Sequence, residues 1–416
     1  MRLHFYQQFF TGPAAPGTLQ PRNLMRVLAE RGHEIHVVAA DFNVYNEQAE
    51  PEENLRFEGG GCLSVHRVKS PRGLRRNLRS RLATYLSYAL SARRLGSRLP
   101  KPDVVLGSIQ PLFTGWVAAR LARRHRAPFI LEIRDLWPDA LEVKGAVRGW
   151  KAGILHRLAN YLYARADRVV SLTPGIKLEL LKKGLPGQKI DVFTNGFDPA
   201  LYQLAPGARE QIRRELGWDG QFVALYTGTH VEVTAVEVIV RAAHELKHRE
   251  DIRFDLFGQG QRKAAAMQLA GELRLTNIHF HDPVPKARVP SLLAGADAAL
   301  MTLFHSPLIH IYFENKLIDY MGAGIPILAA MGGQQADLIR QERTGRVVDA
   351  FDHSGLARLV AEAADQPEPF RECGRNGRRL VEHYFLLPRI SERYAQMIES
   401  VAAGRCRELV PWSPLP

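Results

Sequence analysis

Phe222-Val-Ala-Leu-Tyr-Thr227 carries no charge and ends against Gly228. An unbroken apolar run of this length, closed by a glycine, predicts a parallel strand covered on both faces. Its position decides the fold. Just before it, Pro199–Gly217 is rich in Ala, Pro, Gly and charge and has no clear periodicity, as expected of a linker. After it a helix runs to about His248. Strands follow at Phe254–Gly258, His279–His281, Ala298–Met301 and Pro326–Ala329, with helical segments between them. The same alternation has already run once upstream. A first strand over Met1–Phe10 leads through the loop Thr11–Thr18 into a helix with Leu24, Val27 and Leu28 on one side and Gly32 as its stop. Strands then fall at Glu34–Ala40, Val104–Gly107, Phe129–Ile133 and Arg168–Leu172. Two successive βα runs predict an α/β chain of two Rossmann-like, doubly wound domains. The boundaries read as 1–203, 204–386 and a final segment 387–416, whose helix Leu387–Ala402 precedes a Pro-rich tail, Val410–Pro416.

Composition agrees. The 416 residues suit two or three domains, and 46% hydrophobic with 24% charged residues is ordinary for a globular protein. Cys62, Cys373 and Cys406 are too scattered for a disulfide framework or a zinc site, and fit reduced thiols in the cytoplasm. Met1–Phe10 is too short and polar for a secretory leader, and no apolar run reaches the about 18 residues of a membrane span.

The formal net charge is +13, and it is concentrated. Gly59–Pro102 contains no Asp or Glu but eleven Lys and Arg, among them Arg72, Arg75, Arg76 and Arg79. Leu74, Leu78, Leu82, Leu86 and Leu90 recur every fourth residue, one stripe of an amphipathic helix flanked by arginines. Three readings compete. The leucines pack in the core beneath a solvated basic face, or the segment lies on an anionic membrane surface, or it binds nucleic acid. No zinc-finger spacing, RRM-type aromatic motif or KH-type clamp accompanies the charge, which disfavours the last.

Glu314-Asn-Lys-Leu-Ile-Asp-Tyr-Met-Gly-Ala-Gly-Ile-Pro326 is the richest stretch for chemistry. Asn315 is suited to cap a helix whose first turn holds Lys316, and Asp319 follows at helical spacing. A helix N-terminus with a lysine favours phosphate, and a carboxylate one turn on suits ribose hydroxyls. An ordinary βα unit with a solvated Lys-Asp pair fits the spacing equally well.

This segment resembles the P-x-K-x-x-E-Y-M-A-x-G-x-P region of retaining family-four glycosyltransferases of the GT-B fold. The resemblance continues along most of the chain, through Leu28-Ala-Glu-Arg-Gly-His-Glu-Ile-His-Val-Val38, Asp167-Arg-Val-Val-Ser-Leu-Thr-Pro-Gly175, Asp191-Val-Phe-Thr-Asn-Gly-Phe-Asp198 and Phe254-Asp-Leu-Phe-Gly-Gln-Gly260. The stretch Ile130-Leu-Glu-Ile-Arg-Asp-Leu-Trp-Pro-Asp139 is similar to a subgroup that builds bacterial surface polysaccharides, including fucosaminyl-type amino-sugar transferases.

The resemblance implies two domains facing a cleft. The nucleotide-diphosphate-sugar donor lies on the second, a glycan acceptor on the first, and the last helix returns to the first. The implied reaction is retaining transfer to a lipid-linked acceptor at the inner membrane face, without a cofactor beyond the nucleotide sugar. No Asp-x-Asp occurs, so a metal held by that motif is not expected. Donor-side residues would be Gly17 of the first loop, Thr229 and His230 after Thr227, Gly258, Gly260 and Arg262, with Lys263 in reserve, and Asn315, Lys316 and Asp319. Glu132, Arg134 and Asp135, at the end of an apolar run, would face sugar or phosphate, Arg134 and Asp135 orienting each other. Arg72, Arg75, Arg76 and Arg79 would meet the membrane and the acceptor's phosphates.

Three departures from the family pattern matter. The loop Thr227–Ala235 has neither the Arg nor the Lys common there, leaving His230 as its candidate cation. Of a carboxylate pair eight residues apart, Asp319 keeps the second position while Ile311 stands at the first, with Glu314 the possible substitute. Arg134 stands where many members have a histidine. Two other classes remain open: a sugar-nucleotide epimerase of the same fold, and a non-enzymatic nucleotide- or nucleic-acid-binding protein.

Overall fold

The computed structural model describes residues 1–12, 20–44, 47–74, 76, 78–143, 145–304 and 306–405. The chain divides into two compact units, one formed by Met1–Thr194 with residues 387–405, the other by Asn195–Leu386. Residues 195–203, grouped with the first domain on sequence pattern, pack in the second unit.

The first unit is built on eight strands: β1 (Arg2–Tyr6), β2 (Glu34–Ala40), β3 (Glu53–Arg56), β4 (Cys62–Val68), β5 (Val104–Ser108), β6 (Phe129–Ile133), β7 (Arg168–Ser171) and β8 (Ile190–Val192). Their order is β3-β4-β2-β1-β5-β6-β7-β8, and every pairing is parallel except β3 with β4. β6 reads Phe-Ile-Leu-Glu-Ile and is buried along its whole length, because helices cover both faces of a parallel sheet. One core cluster joins Leu3, Phe5, Val37 and Leu106 to Ile390, Tyr394 and Ile398, so the helix Leu387–Ala402 completes this unit.

The second unit has β9 (Phe222–Thr227), β10 (Ile252–Phe257), β11 (Ile278–His281), β12 (Ala298–Thr302), β13 (Ile327–Ala330) and β14 (Gly345–Val348). The order is β11-β10-β9-β12-β13-β14, all parallel. From the central β9 the chain builds outward through β10 and β11, then crosses to β12 on the other side. In the first unit β1 is central in the same way, between β2 and β5. These switch points open a crevice at the carboxyl ends of the strands, which is where such sheets bind ligands.

Four strands escaped the sequence reading. β4 alternates, Cys-Leu-Ser-Val-His-Arg-Val, with Arg67 and His66 diluting its apolar character, and β3, Glu-Asn-Leu-Arg, is an exposed edge. β8 and β14 are three and four residues long, too short for a periodic signal.

The basic helix differs from the simplest expectation. It spans Leu78–Gly96, and its buried side is Thr84, Tyr88, Ala89 and Ala92. Leu82, Leu86 and Leu90 are 44%, 42% and 65% exposed, so the leucine stripe is not core. Leu74 is buried, but in the turn before the helix.

Candidate functional site

In the second unit, the loops after β9 and β10 cross at van der Waals distance. A Cβ on Gly258, whose φ is +156°, would lie 1.8 Å from the Gly228 carbonyl oxygen, and one on Gly260 would lie 2.2 Å from that of His230. Only glycine permits this approach. The His230 amide donates to the Gln259 carbonyl at 3.0 Å, and the Arg262 amide donates to the His230 carbonyl at 2.9 Å, fixing the crossing.

The His230 ring is fully buried between Tyr226, at a ring distance of 5.6 Å, and Phe280, at 6.4 Å. Neither ring nitrogen has a hydrogen-bond partner. Burial, with the nearby charges of Lys263 and Lys316, lowers its pKa to about 4. His230 is therefore neutral at pH 7, which corrects its reading as a cation. It offers one donor and one acceptor instead.

The cation here is Lys316. It lies in the first turn of the helix Asn315–Ala323, and its Nζ donates to Tyr226 Oη at 3.0 Å and sits 3.2 Å from Glu314 Oε2. Burial opposes its charge, but Glu314 and the Tyr226 and Tyr320 hydroxyls outweigh that and hold the pKa above the usual lysine range. A Cβ on Gly228 would come within 3.3 Å of Nζ, so this exposed glycine leaves the ammonium approachable. The Tyr320 hydroxyl, one turn on from Lys316, accepts from the Thr227 amide at 2.9 Å and locks the helix to the end of β9.

The other donor-side candidates divide. Asn315 is exposed at the first helical position, and Glu314 holds the cap position without a side-chain cap, which corrects the capping assignment. Asp319 pairs with Lys286 Nζ at 2.5 Å and contacts Tyr202, rather than sharing a face with Lys316. Glu314 serves Lys316. Arg262 is exposed and paired with Glu237, and Lys263 is taken up by the His281 carbonyl at 2.8 Å and Asp282 at 3.1 Å. Thr229 is exposed, with its carbonyl accepting from Tyr226 Oη at 2.8 Å. Gly17 and Arg75 lie outside the described residues. Sequence reasoning missed Tyr226 and Tyr320, whose only signal was that both sit beside motif positions.

In the first unit, Glu132 is 3% exposed, with Oε1 accepting from Tyr394 Oη at 3.3 Å and lying 3.5 Å from Arg134 Nη1. Arg134 also donates to Gln20 Oε1 at 3.1 Å, and Gln20 Nε2 donates to the Thr194 carbonyl at 2.7 Å. Asp135 accepts from Trp137 Nε1 at 3.2 Å. The expected mutual orientation of Arg134 and Asp135 thus gives way to separate roles: Arg134 neutralises Glu132, and Asp135 fixes the Trp137 turn. Arg72, Arg76 and Arg79 are exposed before and at the start of the basic helix. Among the described residues, no group of three His, Cys, Asp or Glu side chains is arranged to hold a metal ion, and no helix is long and apolar enough to cross a membrane.

Two parallel, doubly wound sheets, with the last helix returned to the first unit, are the architecture of GT-B glycosyltransferases. Family models agree: a glycosyl transferase 4-like domain matches residues 19–196 and a glycosyl transferases group 1 domain matches residues 221–366. The chain belongs to this glycosyltransferase family. It is 27% identical over 291 residues to an Escherichia coli K12 protein described as a colanic acid biosynthesis glycosyl transferase, covering 66% of this chain and 70% of that one. Among solved structures, Anabaena HepE in complex with UDP-glucose superposes with a TM-score of 0.71 at 16% identity, over 96% of this chain and all of that one. Sucrose-phosphate synthase from Thermosynechococcus elongatus gives 0.75 at 17% identity, over 97% and 99%.

Proposed function

We propose that the chain is a retaining glycosyltransferase that moves a sugar from a nucleotide-diphosphate donor to a lipid-linked glycan acceptor in bacterial polysaccharide biosynthesis. The observation that carries this reading is the Lys316 ammonium beside the glycine-lined crossing of the β9 and β10 loops. Such a site suits a diphosphate: a fixed cation, backbone that a phosphate can approach, and a helix N-terminus. In the transfer step the bond between the anomeric carbon and the diphosphate oxygen breaks as a bond to the acceptor hydroxyl oxygen forms on the same face. The hydroxyl proton passes to the departing phosphate. Lys316 meets the charge that grows on that phosphate, so its contribution is largest in the transition state. No side-chain nucleophile is required, and in the absence of an Asp-x-Asp motif no metal is assigned. The colanic acid relative supports a polysaccharide acceptor, and HepE supports a UDP-sugar donor.

The test is Lys316→Gln, assayed with a panel of UDP- and GDP-sugars and membrane-extracted acceptor. Transfer should fall by roughly two to three orders of magnitude with the fold intact. Full activity in this variant, or conversion of the nucleotide sugar without acceptor, would overturn the proposal, the latter in favour of an epimerase.

A further inference from the structure

The helix Leu78–Gly96 carries Arg79, Leu82, Leu86, Leu90, Arg93 and Ser97 along one line, spaced three or four residues apart, with Ser97 just past its end. The three leucines are solvent-exposed although the opposite side of the same helix is packed. At the carboxyl end of this line lies a depression of about 450 Å³ lined by Arg93, Ser97, Arg120, Leu121, Arg123 and Arg124. Arg120, Arg123 and Arg124 come from the neighbouring helix Leu112–His125. Between Val104 and Leu131 there is no Asp or Glu, so this second helix is as free of acid as the first. Among the described residues none of the four arginines has a carboxylate partner, whereas about half of the other arginines do. Arg120 lies instead 5.4 Å over the Trp116 ring. Arg123 and Arg124 also complement the negative end of their helix, but that role does not call for convergence with Arg93 and Arg120.

We infer that this face is a docking site for an anionic phospholipid bilayer: the four-arginine depression takes phosphate headgroups, and Leu82, Leu86 and Leu90 enter the acyl boundary beside them. Converging cations with no counter-ion repel one another until an anion sits among them, and arginine is the side chain best shaped for phosphate. The exposed leucines discriminate between anions. A nucleic acid or a free phosphate gains nothing from them, whereas a bilayer buries them. Both helices precede strands, so their carboxyl ends lie on the amino-end side of the sheet, away from the strand ends where Arg134 emerges. Docking there leaves the ligand side of the first unit open. The inference rests on the proposal that this chain works on a lipid-linked acceptor, but it assigns the contact to residues other than Arg72, Arg76 and Arg79.

The experiment is co-sedimentation of the full chain with phosphatidylcholine vesicles with and without phosphatidylglycerol. The native chain should bind only the anionic vesicles. Arg93→Gln/Arg120→Gln/Arg124→Gln should weaken binding roughly a hundredfold, at about 1 kcal/mol per arginine. Leu82→Ser/Leu86→Ser/Leu90→Ser should weaken it at least roughly tenfold. Leu178→Ser, which changes an exposed leucine on another helix, should leave it unchanged. Transfer to a short soluble acceptor should persist in every variant, so that loss of docking is read apart from loss of catalysis. Retained vesicle binding in both triple variants overturns the inference. So does loss that follows only charge reversal at Arg72, Arg76 and Arg79, which would move docking to the other end of the helix. Binding that survives the leucine changes but is released by inorganic phosphate, or matched by a single-stranded oligonucleotide, makes the depression a free-anion site and overturns the lipid assignment.

Discussion

Gly260 has no room for a side chain, since its Cβ would sit 2.2 Å from a backbone oxygen that has no rotamer to move into. Gly260→Ala should push the β9 and β10 loops apart, costing about 1–3 kcal/mol and abolishing nucleotide binding. Calorimetric titration with UDP and GDP beside a denaturant melt separates the two effects. His4 makes a different prediction. It is fully buried, and burial, with the neighbouring His36 and His125, pulls its pKa down to about 3 from the ordinary 6.5. The unfolded chain takes up a proton below 6.5 that the folded chain refuses until about 3. Stability from this residue is therefore complete above pH 6.5 and is lost as pH falls toward 3, by about 1.4 kcal/mol per pH unit. His4→Phe should flatten that limb of a stability–pH curve, and an unchanged slope would show that another group sets it. The residue scale is also where sequence reading reached least far. Lys316 was legible through the resemblance of its segment to a family motif, since its spacing alone fitted a solvated Lys-Asp pair equally well. The neutrality of His230 was not, because it depends on neighbours that only the fold assembles, Tyr226 and Phe280 from two strands and Lys263 and Lys316 from two helices.

The strand β6 and the helix Leu387–Ala402 are tied by the Tyr394–Glu132–Arg134 chain. Arg134→Ala leaves Glu132 buried beside a tyrosine hydroxyl without its cation, which should cost about 3–5 kcal/mol. Lost transfer in that variant would therefore say little about catalysis. Glu132→Gln/Arg134→Met, which removes both charges, should recover most of the stability in a urea melt. If transfer remains lost after the fold recovers, Arg134 acts on substrate. The bounds of this helix, expected at roughly Leu387–Ala402, agree with the structure because its apolar period is strong. The basic helix was legible as a helix but not for which side it buries. Its leucines repeat every fourth position as a core stripe would, yet tyrosine, threonine and alanine are what pack, since only small or flat side chains fit where it meets the sheet and its neighbour.

Across the molecule, the acid-free stretches Gly59–Pro102, Val104–Leu131 and Val143–Ala166 all fall in the first unit. Only the first was singled out from sequence, because the other two hold their basic residues on helices interleaved with apolar ones. The proposed diphosphate site falls in the second unit. Hydrogen exchange should divide along the same line: UDP should protect amides of residues 228–235 and 258–263, and anionic vesicles those of residues 78–97. Protection by UDP over 78–97 would place the nucleotide in the wrong unit.

The return of the last helix to the first unit has a further consequence, for synthesis. Ile390, Tyr394 and Ile398 cap a core begun by Leu3 and Phe5, yet about 190 residues of the second unit lie between. At about 5–20 residues per second, the ribosome takes roughly 10–40 s to cross that insert. Throughout that time the nascent first unit holds an open apolar seam that nothing yet made can close. The second unit is contiguous and can mature on the ribosome while the first waits. A chain stalled or cut shortly before Leu387 would carry one finished unit and one adhesive one, so it is this helix, made only after the whole second unit, that closes the first.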